Sequence, residues 1–215
     1  MQEIYDRISG MVISGDLADI ARYTEEALHK GSDASALLNK ALLPAMDIVG
    51  QRMKSGEMFI PEVLRSAKTM QKAMDVLMPM LSEKDLSGSG TVVIGTVQGD
   101  LHDIGKNLVS MMLKGAGFKI VDLGVDVKPQ AFIDAIREHH ADIIGMSSLL
   151  TTTIPMMKET IEQIEKTGLR QQVKIMAGGA PVTQNLADDI GADAYGNSAV
   201  MAVEKAKELM KIRRA

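Results

Sequence analysis

The chain has 215 residues, of which 46% are hydrophobic and 24% charged, and its net charge at pH 7 is -4. This apolar content suffices for a packed core, while the acidic balance argues against a general nucleic-acid binder, whose phosphate contacts need cations. No apolar run approaches the roughly 20 residues of a membrane helix, so we expect a cytoplasmic protein with no membrane partner. The absence of cysteine excludes disulfides, thiolate metal sites, iron–sulfur clusters and a cysteine nucleophile.

The first part of the chain has the apolar periodicity of helices. Asp33 and Pro61 are typical helix-start residues. Helices are predicted near residues 2–14, 16–30, 34–54 and 60–83. Four helices joined by short connections indicate a small four-helix bundle.

The polar, glycine-rich stretch Ser82–Gly90 is typical of a linker. It divides the chain into a predicted helical domain over 1–86, a linker over 87–90 and a second domain over 91–215.

Beyond the linker, short β-branched runs alternate with amphipathic helical runs, which predicts a five-stranded, doubly wound parallel sheet in an α/β domain. The strands are predicted at Thr91–Val97, Lys119–Leu123, Asp142–Ser147, Val173–Ala177 and Ala192–Tyr195. The helices are predicted near 103–116, 128–140, 152–167, 182–190 and 198–212. Ligands of such sheets bind at the carboxyl ends of the strands, so the loops that follow the strands are the candidate site.

The loop after the first strand carries an acid and a histidine close together. Asp100 and His102 lie two residues apart in an extended segment, so both side chains can point to one side. A carboxylate that accepts the Nδ1 proton fixes the imidazole tautomer and leaves Nε2 free as a base or metal ligand. The alternative is structural, with Asp103 as a helix cap and His102 as an ordinary loop histidine.

Two further loops carry small residues at strand ends. Ser147 begins a hydroxyl-rich loop, in which Thr151 or Thr152 could instead simply cap the next helix. Gly178 and Gly179 precede a later helix, where they could admit a flat ring or a phosphate, or simply form a turn.

In combination, the motifs Asp100-x-His102-x-x-Gly105, Ser147-x-Leu149 and Gly178-Gly179 resemble the cobalamin-binding module of corrinoid proteins. The helical part, with the segment Gly56–Pro61, is similar to the cap domain that accompanies this module in cobalamin-dependent methionine synthase. Over nearly its whole length the chain resembles small corrinoid proteins of methyltransferase systems, which serve methylamines, methanol or related donors.

The resemblance implies a role for each matching residue. His102 would ligate cobalt through Nε2, Asp100 would hydrogen-bond this histidine, and the hydroxyl of Thr153 would end the relay. Release of the histidine from the metal would be coupled to proton uptake. The residues implied in binding the corrinoid are Gly99, Asp100, Leu101, His102, Asp103, Ile104, Gly105, Ser147, Leu149, Thr151, Gly178, Gly179, Ala180, Tyr195 and Asn197.

Three residues of the helical part, Met53, Ile60 and Val63, would cover the upper face of the ring, where an apolar lid excludes water. The neighbouring Phe59 is the aromatic residue nearest this lid, but we expect it in the core instead.

The resemblance favours a methyl carrier, a subunit rather than a complete enzyme, loaded by a substrate-specific methyltransferase. A second methyltransferase with a thiol or reduced folate acceptor, and a reductive activation protein, would be its other partners. A corrinoid sensor or storage module is the alternative, although no DNA-binding segment is visible. The small subunit of a mutase would lack the helical part, and a receiver domain would need an aspartate where Ser147 stands.

Overall fold

The computed structural model describes residues 2–81 and 89–214. The chain divides into two compact units, Met1–Gly88 with Lys114–Gly117, and Ser89–Leu113 with Phe118–Ala215. Of the predicted linker over 87–90, residues 87 and 88 lie outside the described residues. Within the described part of the chain, no helix combines the length and the apolar character needed to cross a membrane.

The helical unit consists of amphipathic helices, each of which buries its apolar face. Its elements are α1 (Gln2–Ser14), α2 (Ile20–His29), α3 (Ala34–Leu37), a π-helical segment (Leu38–Leu42), α4 (Leu43–Ser55), α5 (Ile60–Leu77) and a 3₁₀ turn (Met78–Met80). As predicted, Asp33 caps α3, where its carboxylate accepts a hydrogen bond from Ala36 N at 2.8 Å, and Pro61 lies in the first turn of α5.

The prolines account for two irregularities of this unit. Pro44 has no N–H for the carbonyl four residues earlier, and the π segment accommodates it, with Leu43 N donating to Leu38 O. Pro79 likewise ends the α-helical pattern at Leu77, so the fourth helix stops before the predicted residue 83.

Two other expectations for this unit were wrong. The second helix begins at Ile20 rather than at residue 16, because the Asp16 carboxylate accepts the Ala18 and Asp19 N–H groups in a turn. Phe59 is not in the core, since it is 68% exposed.

The sheet unit confirms the predicted α/β fold with five parallel strands. The strands are β1 (Thr91–Thr96), β2 (Lys119–Asp122), β3 (Ile143–Ser147), β4 (Lys174–Gly178) and β5 (Ala194–Gly196). The helices are α6 (Ile104–Gly115), α7 (Pro129–His139), α8 (Ile154–Lys166), α9 (Gln184–Asp189) and α10 (Ala199–Arg214). One face of the sheet packs through Val93, Ile144 and Ile175 against apolar side chains of α7, α8 and α9.

The strand order β2-β1-β3-β4-β5 determines where a ligand can bind. The chain continues from β1 to β2 on one side of the sheet and from β3 to β4 on the other, so the connections leave these two strands in opposite directions. This divergence leaves a crevice at the carboxyl ends of β1 and β3, which is the usual ligand position in such sheets.

Candidate cofactor site

Asp100 and His102 form the centre of the candidate site, in the loop after β1. As predicted, they point to one side: His102 Nδ1 lies 2.7 Å from Asp100 Oδ1, which also accepts the His102 N–H at 3.0 Å. The Asp100 side chain is fully buried, whereas that of His102 is 53% exposed. The imidazole is therefore held by its inner nitrogen, while Nε2 makes no hydrogen bond to the described residues.

The loop after β3 supplies donors to the second oxygen of Asp100. Leu149 N donates to Oδ2 at 2.6 Å, and Leu150 N and Thr153 Oγ1 lie at 3.3 Å from the same oxygen. Burial by itself raises the pKa of Asp100, but the hydrogen bonds from His102, Leu149 and Leu150 outweigh it and lower this pKa to about 2. The carboxylate is thus an anion throughout the physiological range, although it is buried.

Thr153 rather than Thr151 or Thr152 occupies the N-cap position of α8, and its side chain does not cap the helix. Its hydroxyl contacts Asp100 instead, together with Leu150 O at 3.0 Å. Thr151 and Thr152 are exposed. The capping alternative for these two residues is therefore wrong, and the predicted contact of Thr153 with the acid is present.

Two buried hydroxyls of the site were missed by the sequence analysis. Thr96, the last residue of β1, donates through Oγ1 to His102 O at 2.8 Å and fixes the backbone of the histidine. Ser148 Oγ lies 2.8 Å from Thr153 Oγ1 and 3.0 Å from Leu150 O. Both side chains are fully buried at the end of a strand, and a strand-end hydroxyl is the only sequence signal that pointed to them.

The remaining predicted residues of the sheet unit lie along the same edge. The register aligns Thr96, Ser147, Gly178 and Gly196 in one row across four strands. Tyr195 precedes this row in β5. Ala180 and Asn197 are exposed in the loops that follow β4 and β5.

Gly179, in the loop after β4, lies directly against Ser148 in the loop after β3. It has φ of +126°, and a Cβ on it would lie 1.8 Å from Ser148 O. Only glycine fits there, and the close approach holds the loop after β3 against the end of β4.

Around His102 the surface is apolar, which is unusual for exposed loops. Leu101 is 72% exposed, Ile104 87% and Leu149 43%. A Cβ on Gly105 would meet no atom of the described residues within 4 Å, so this position also borders open space. Asp103 precedes α6 and accepts a hydrogen bond from the side chain of Asn107 at 2.9 Å. An exposed imidazole within an apolar rim fits a large flat metal complex.

The side chains of the site also fit a metal that is already coordinated by a macrocycle. In residues 2–81 and 89–214 no cluster of three or more histidine, aspartate or glutamate side chains could hold a bare ion. A single axial histidine is instead the way in which proteins hold the metal of a macrocycle such as haem. The residues present therefore fit a corrinoid whose metal would be bound by His102 Nε2.

The cap residues predicted from the resemblance belong to the helical unit. Met53 is half-buried in α4, Ile60 begins α5 and is 48% exposed, and Val63 is fully buried one turn later. Their role toward a corrinoid remains a prediction.

The chain matches two family models that are both described as a B12 binding domain, one over residues 90–204 and the other over residues 4–78. A single imidazole on a carboxylate at the switch point of a parallel sheet, together with these matches, defines a B12-binding protein.

Three similar proteins narrow this class. The chain is 40% identical to trimethylamine corrinoid protein 2 of Methanosarcina mazei, over 98% of both chains. It shares 33% identity and a TM-score of 0.77 with the crystal structure of a cobalamin-binding protein from Desulfitobacterium hafniense, covering 95% of this chain and 98% of the other. With the methanol:cobalamin methyltransferase complex MtaBC from Methanosarcina barkeri it shares 28% identity and a TM-score of 0.85, covering 97% and 80%. The chain belongs to the family of corrinoid proteins with a B12 binding domain, and its cofactor is a corrinoid.

Proposed function

We propose that this chain is a methyl carrier that passes a methyl group between two methyltransferases. The bound corrinoid supplies the cobalt on which the methyl group is carried. The observation that carries the proposal is the pair formed by buried Asp100 and exposed His102, whose Nδ1 is fixed and whose Nε2 makes no hydrogen bond to the residues that the structure describes. It stands in a chain that is similar over its whole length to a trimethylamine corrinoid protein.

The pair prepares the imidazole as a ligand. The Asp100 carboxylate accepts the Nδ1 proton, so the lone pair resides on Nε2 without a tautomeric equilibrium. Asp100 thereby holds His102 in the tautomer and orientation that a metal would need, and the Thr153 hydroxyl lies within hydrogen-bond distance of the same carboxylate.

Other residues of the edge are proposed to bind the rest of the corrinoid. Leu101, Ile104 and Leu149 offer apolar surface to the flat ring. Small residues leave room for the nucleotide tail, while Thr151 and residues of the later loops contact its end. The tail residues proposed are Gly99, Asp103, Gly105, Ser147, Thr151, Gly178, Gly179, Ala180, Tyr195 and Asn197.

The helical unit is proposed to act as the lid of the reactive face. Met53, Ile60 and Val63 would exclude water and oxygen from the reactive face of a bound corrinoid, since a dry apolar environment prevents side reactions. The presence of this unit also disfavours a mutase small subunit, which would lack it.

A substrate-specific methyltransferase is the proposed first partner, because the chain is similar to a trimethylamine corrinoid protein and to a structure of a methanol:cobalamin methyltransferase complex. Methylamines or methanol are the proposed methyl donors. The acceptor methyltransferase, using a thiol or a reduced folate, and a reductive activation protein complete the proposed set.

Electron paramagnetic resonance of the cobalt(II) form tests histidine ligation directly. We would label only the protein histidines with nitrogen-15 and reconstitute with unlabelled cobalamin. Coordination by His102 converts the nitrogen triplet on each cobalt line into a doublet, and His102→Ala removes the doublet. The control His29→Ala, an exposed histidine of α2, retains it. A triplet in the labelled wild type would mean that the cofactor's own base stays on cobalt, which contradicts the proposal.

The methyl donor is tested with purified methyltransferases for trimethylamine, dimethylamine and methanol. Each is mixed with the reduced, cobalamin-loaded protein and its substrate, and the absorption spectrum reports methylation of cobalt. One enzyme should methylate the protein at a rate at least tenfold above the others. Failure of every enzyme, with histidine ligation established, would favour the sensor or storage alternative.

A further inference from the structure

Ser148, in the loop after β3, has a fully buried hydroxyl that contacts neither Asp100 nor His102 among the described residues. Its Oγ lies 2.8 Å from Thr153 Oγ1 and 3.0 Å from Leu150 O. Its backbone is fixed as well, since Ser148 N donates to Gly178 O at 3.1 Å and Gly179 approaches its carbonyl too closely for any side chain. The hydroxyl and the N–H of Ser148 are therefore both held by hydrogen bonds.

The position of Ser148 matters because Thr153 has one proton and several acceptors. Thr153 Oγ1 lies 3.0 Å from Leu150 O but 3.3 Å from Asp100 Oδ2. Without further influence the nearer carbonyl takes the proton and the carboxylate loses a donor. A second hydroxyl that donates to Thr153 Oγ1 changes this competition, because consecutive hydrogen bonds that end on an anion reinforce one another.

We infer that Ser148 is a positioning residue for the cobalt ligand. Its hydroxyl donates to Thr153 Oγ1 and directs the Thr153 proton to Asp100 Oδ2, and its fixed backbone places the Leu149 N–H on the same oxygen. Ser148 thereby sets how strongly Asp100 attracts the Nδ1 proton of His102. This inference rests on the proposed function, because it acts through His102 as a ligand.

The direction of the effect follows from the charge on Asp100. Loss of a donor leaves more negative charge available to the imidazole, which makes His102 a stronger ligand. A stronger axial ligand stabilises cobalt(II) relative to cobalt(I), which sheds its base. Removal of the Ser148 hydroxyl should therefore make the cobalt(II)/cobalt(I) midpoint potential more negative.

A double-mutant cycle of Ser148→Ala and Thr153→Val tests the order of this chain. We expect each single variant, loaded with cobalamin, to shift the midpoint potential in the negative direction, and the double variant to shift it no further than Thr153→Val alone. The matched control is Thr160→Val, which removes a fully buried hydroxyl of α8 that donates to Met156 O at 2.7 Å, within its own helix. Its potential should equal that of the wild type. Additive shifts in the double variant, or an unchanged potential in Ser148→Ala, would overturn the inference.

A second readout needs no cofactor. In the protein without corrinoid, hydrogen exchange of the Leu149 amide should be at least tenfold faster in Ser148→Ala than in the wild type, and unchanged in Thr160→Val. Equal exchange in the wild type and Ser148→Ala would refute the positioning of this N–H. If Ser148→Ala fails to fold, Ser148→Cys keeps the shape of the side chain with a much weaker donor, and is expected to shift both readouts in the same direction. The nitrogen-15 experiment tests the proposed function independently of this inference. If it shows no histidine coordination in the wild type, the proposed function is refuted, whatever the exchange rate of the Leu149 amide.

Discussion

The substitution Asp100→Asn measures the contribution of the buried anion. The pKa of Asp100 falls from its ordinary 3.8 to about 2 in the folded protein, mainly because hydrogen bonds outweigh the cost of burial. One pKa unit corresponds to about 1.4 kcal/mol, so ionisation of this carboxylate stabilises the folded state by about 2 kcal/mol at neutral pH.

The pH dependence follows from the sign of the shift. A carboxyl group with a lowered pKa in the folded state stabilises the protein above the unfolded pKa, and this stabilisation is lost as the pH falls through the folded value. Between pH 4 and pH 2 the contribution of Asp100 therefore disappears, and about half of it is gone near pH 3.

Urea unfolding of the cofactor-free wild type and Asp100→Asn, at pH 7 and pH 3, gives the magnitude. Asparagine also turns an NH₂ group toward N–H donors, which costs stability at either pH, so only the change with pH reports the charge. We expect the difference in the free energy of unfolding to be about 1 kcal/mol larger at pH 7 than at pH 3. Asp103→Asn removes one charge from the same loop and serves as the control.

A pH-independent difference between wild type and Asp100→Asn would refute this reasoning. It would mean that the hydrogen-bond donors of His102 and of the loop after β3 do not favour the ionised form of Asp100, and that the Asp100 side chain contributes to stability only through its packing.

Three further predictions use neighbouring positions. Gly179→Ala should lower the free energy of unfolding of the cofactor-free protein by about 3 kcal/mol, because its Cβ would lie 1.8 Å from Ser148 O at a φ of +126°. Gly105→Ala, with no described atom within 4 Å of the new Cβ, should change this free energy by less than about 1 kcal/mol. Comparable losses of the two variants in urea unfolding would contradict the packing argument. Gly105→Leu should fold normally yet bind cobalamin at least tenfold more weakly by spectral titration, and unimpaired uptake would remove Gly105 from the proposed tail pocket. Lys106 and Asp122 form an ion pair, in which the lysine side chain is 2% exposed and the aspartate side chain 36%. Asp122→Asn should therefore lower the free energy of unfolding by at least about 1 kcal/mol more than Lys106→Met, because a lysine without its partner stays buried whereas the aspartate can be hydrated. Equal losses for the two variants would contradict this asymmetry.

The sequence alone determined the local structure and the central chemistry of the site. The order of helices and strands followed from the apolar periodicity, because a helix that buries one face and a strand that is buried on both faces have different spacings of apolar residues. The contact between Asp100 and His102 was equally predictable, since residues two apart in an extended segment point to the same side. The shift of the second helix start to Ile20 was less readable, because the Asp16 turn competes with helical hydrogen bonds.

Only the tertiary structure decided what surrounds this pair. Leu149 and Thr153 meet Asp100 across 49 and 53 residues of sequence, and no periodicity encodes such a distance. These contacts exist because β1 and β3 lie side by side and their loops share one crevice. The buried hydroxyls of Thr96 and Ser148 become parts of the site for the same reason: a short polar side chain at a strand end acquires its partners only when the neighbouring strand is known.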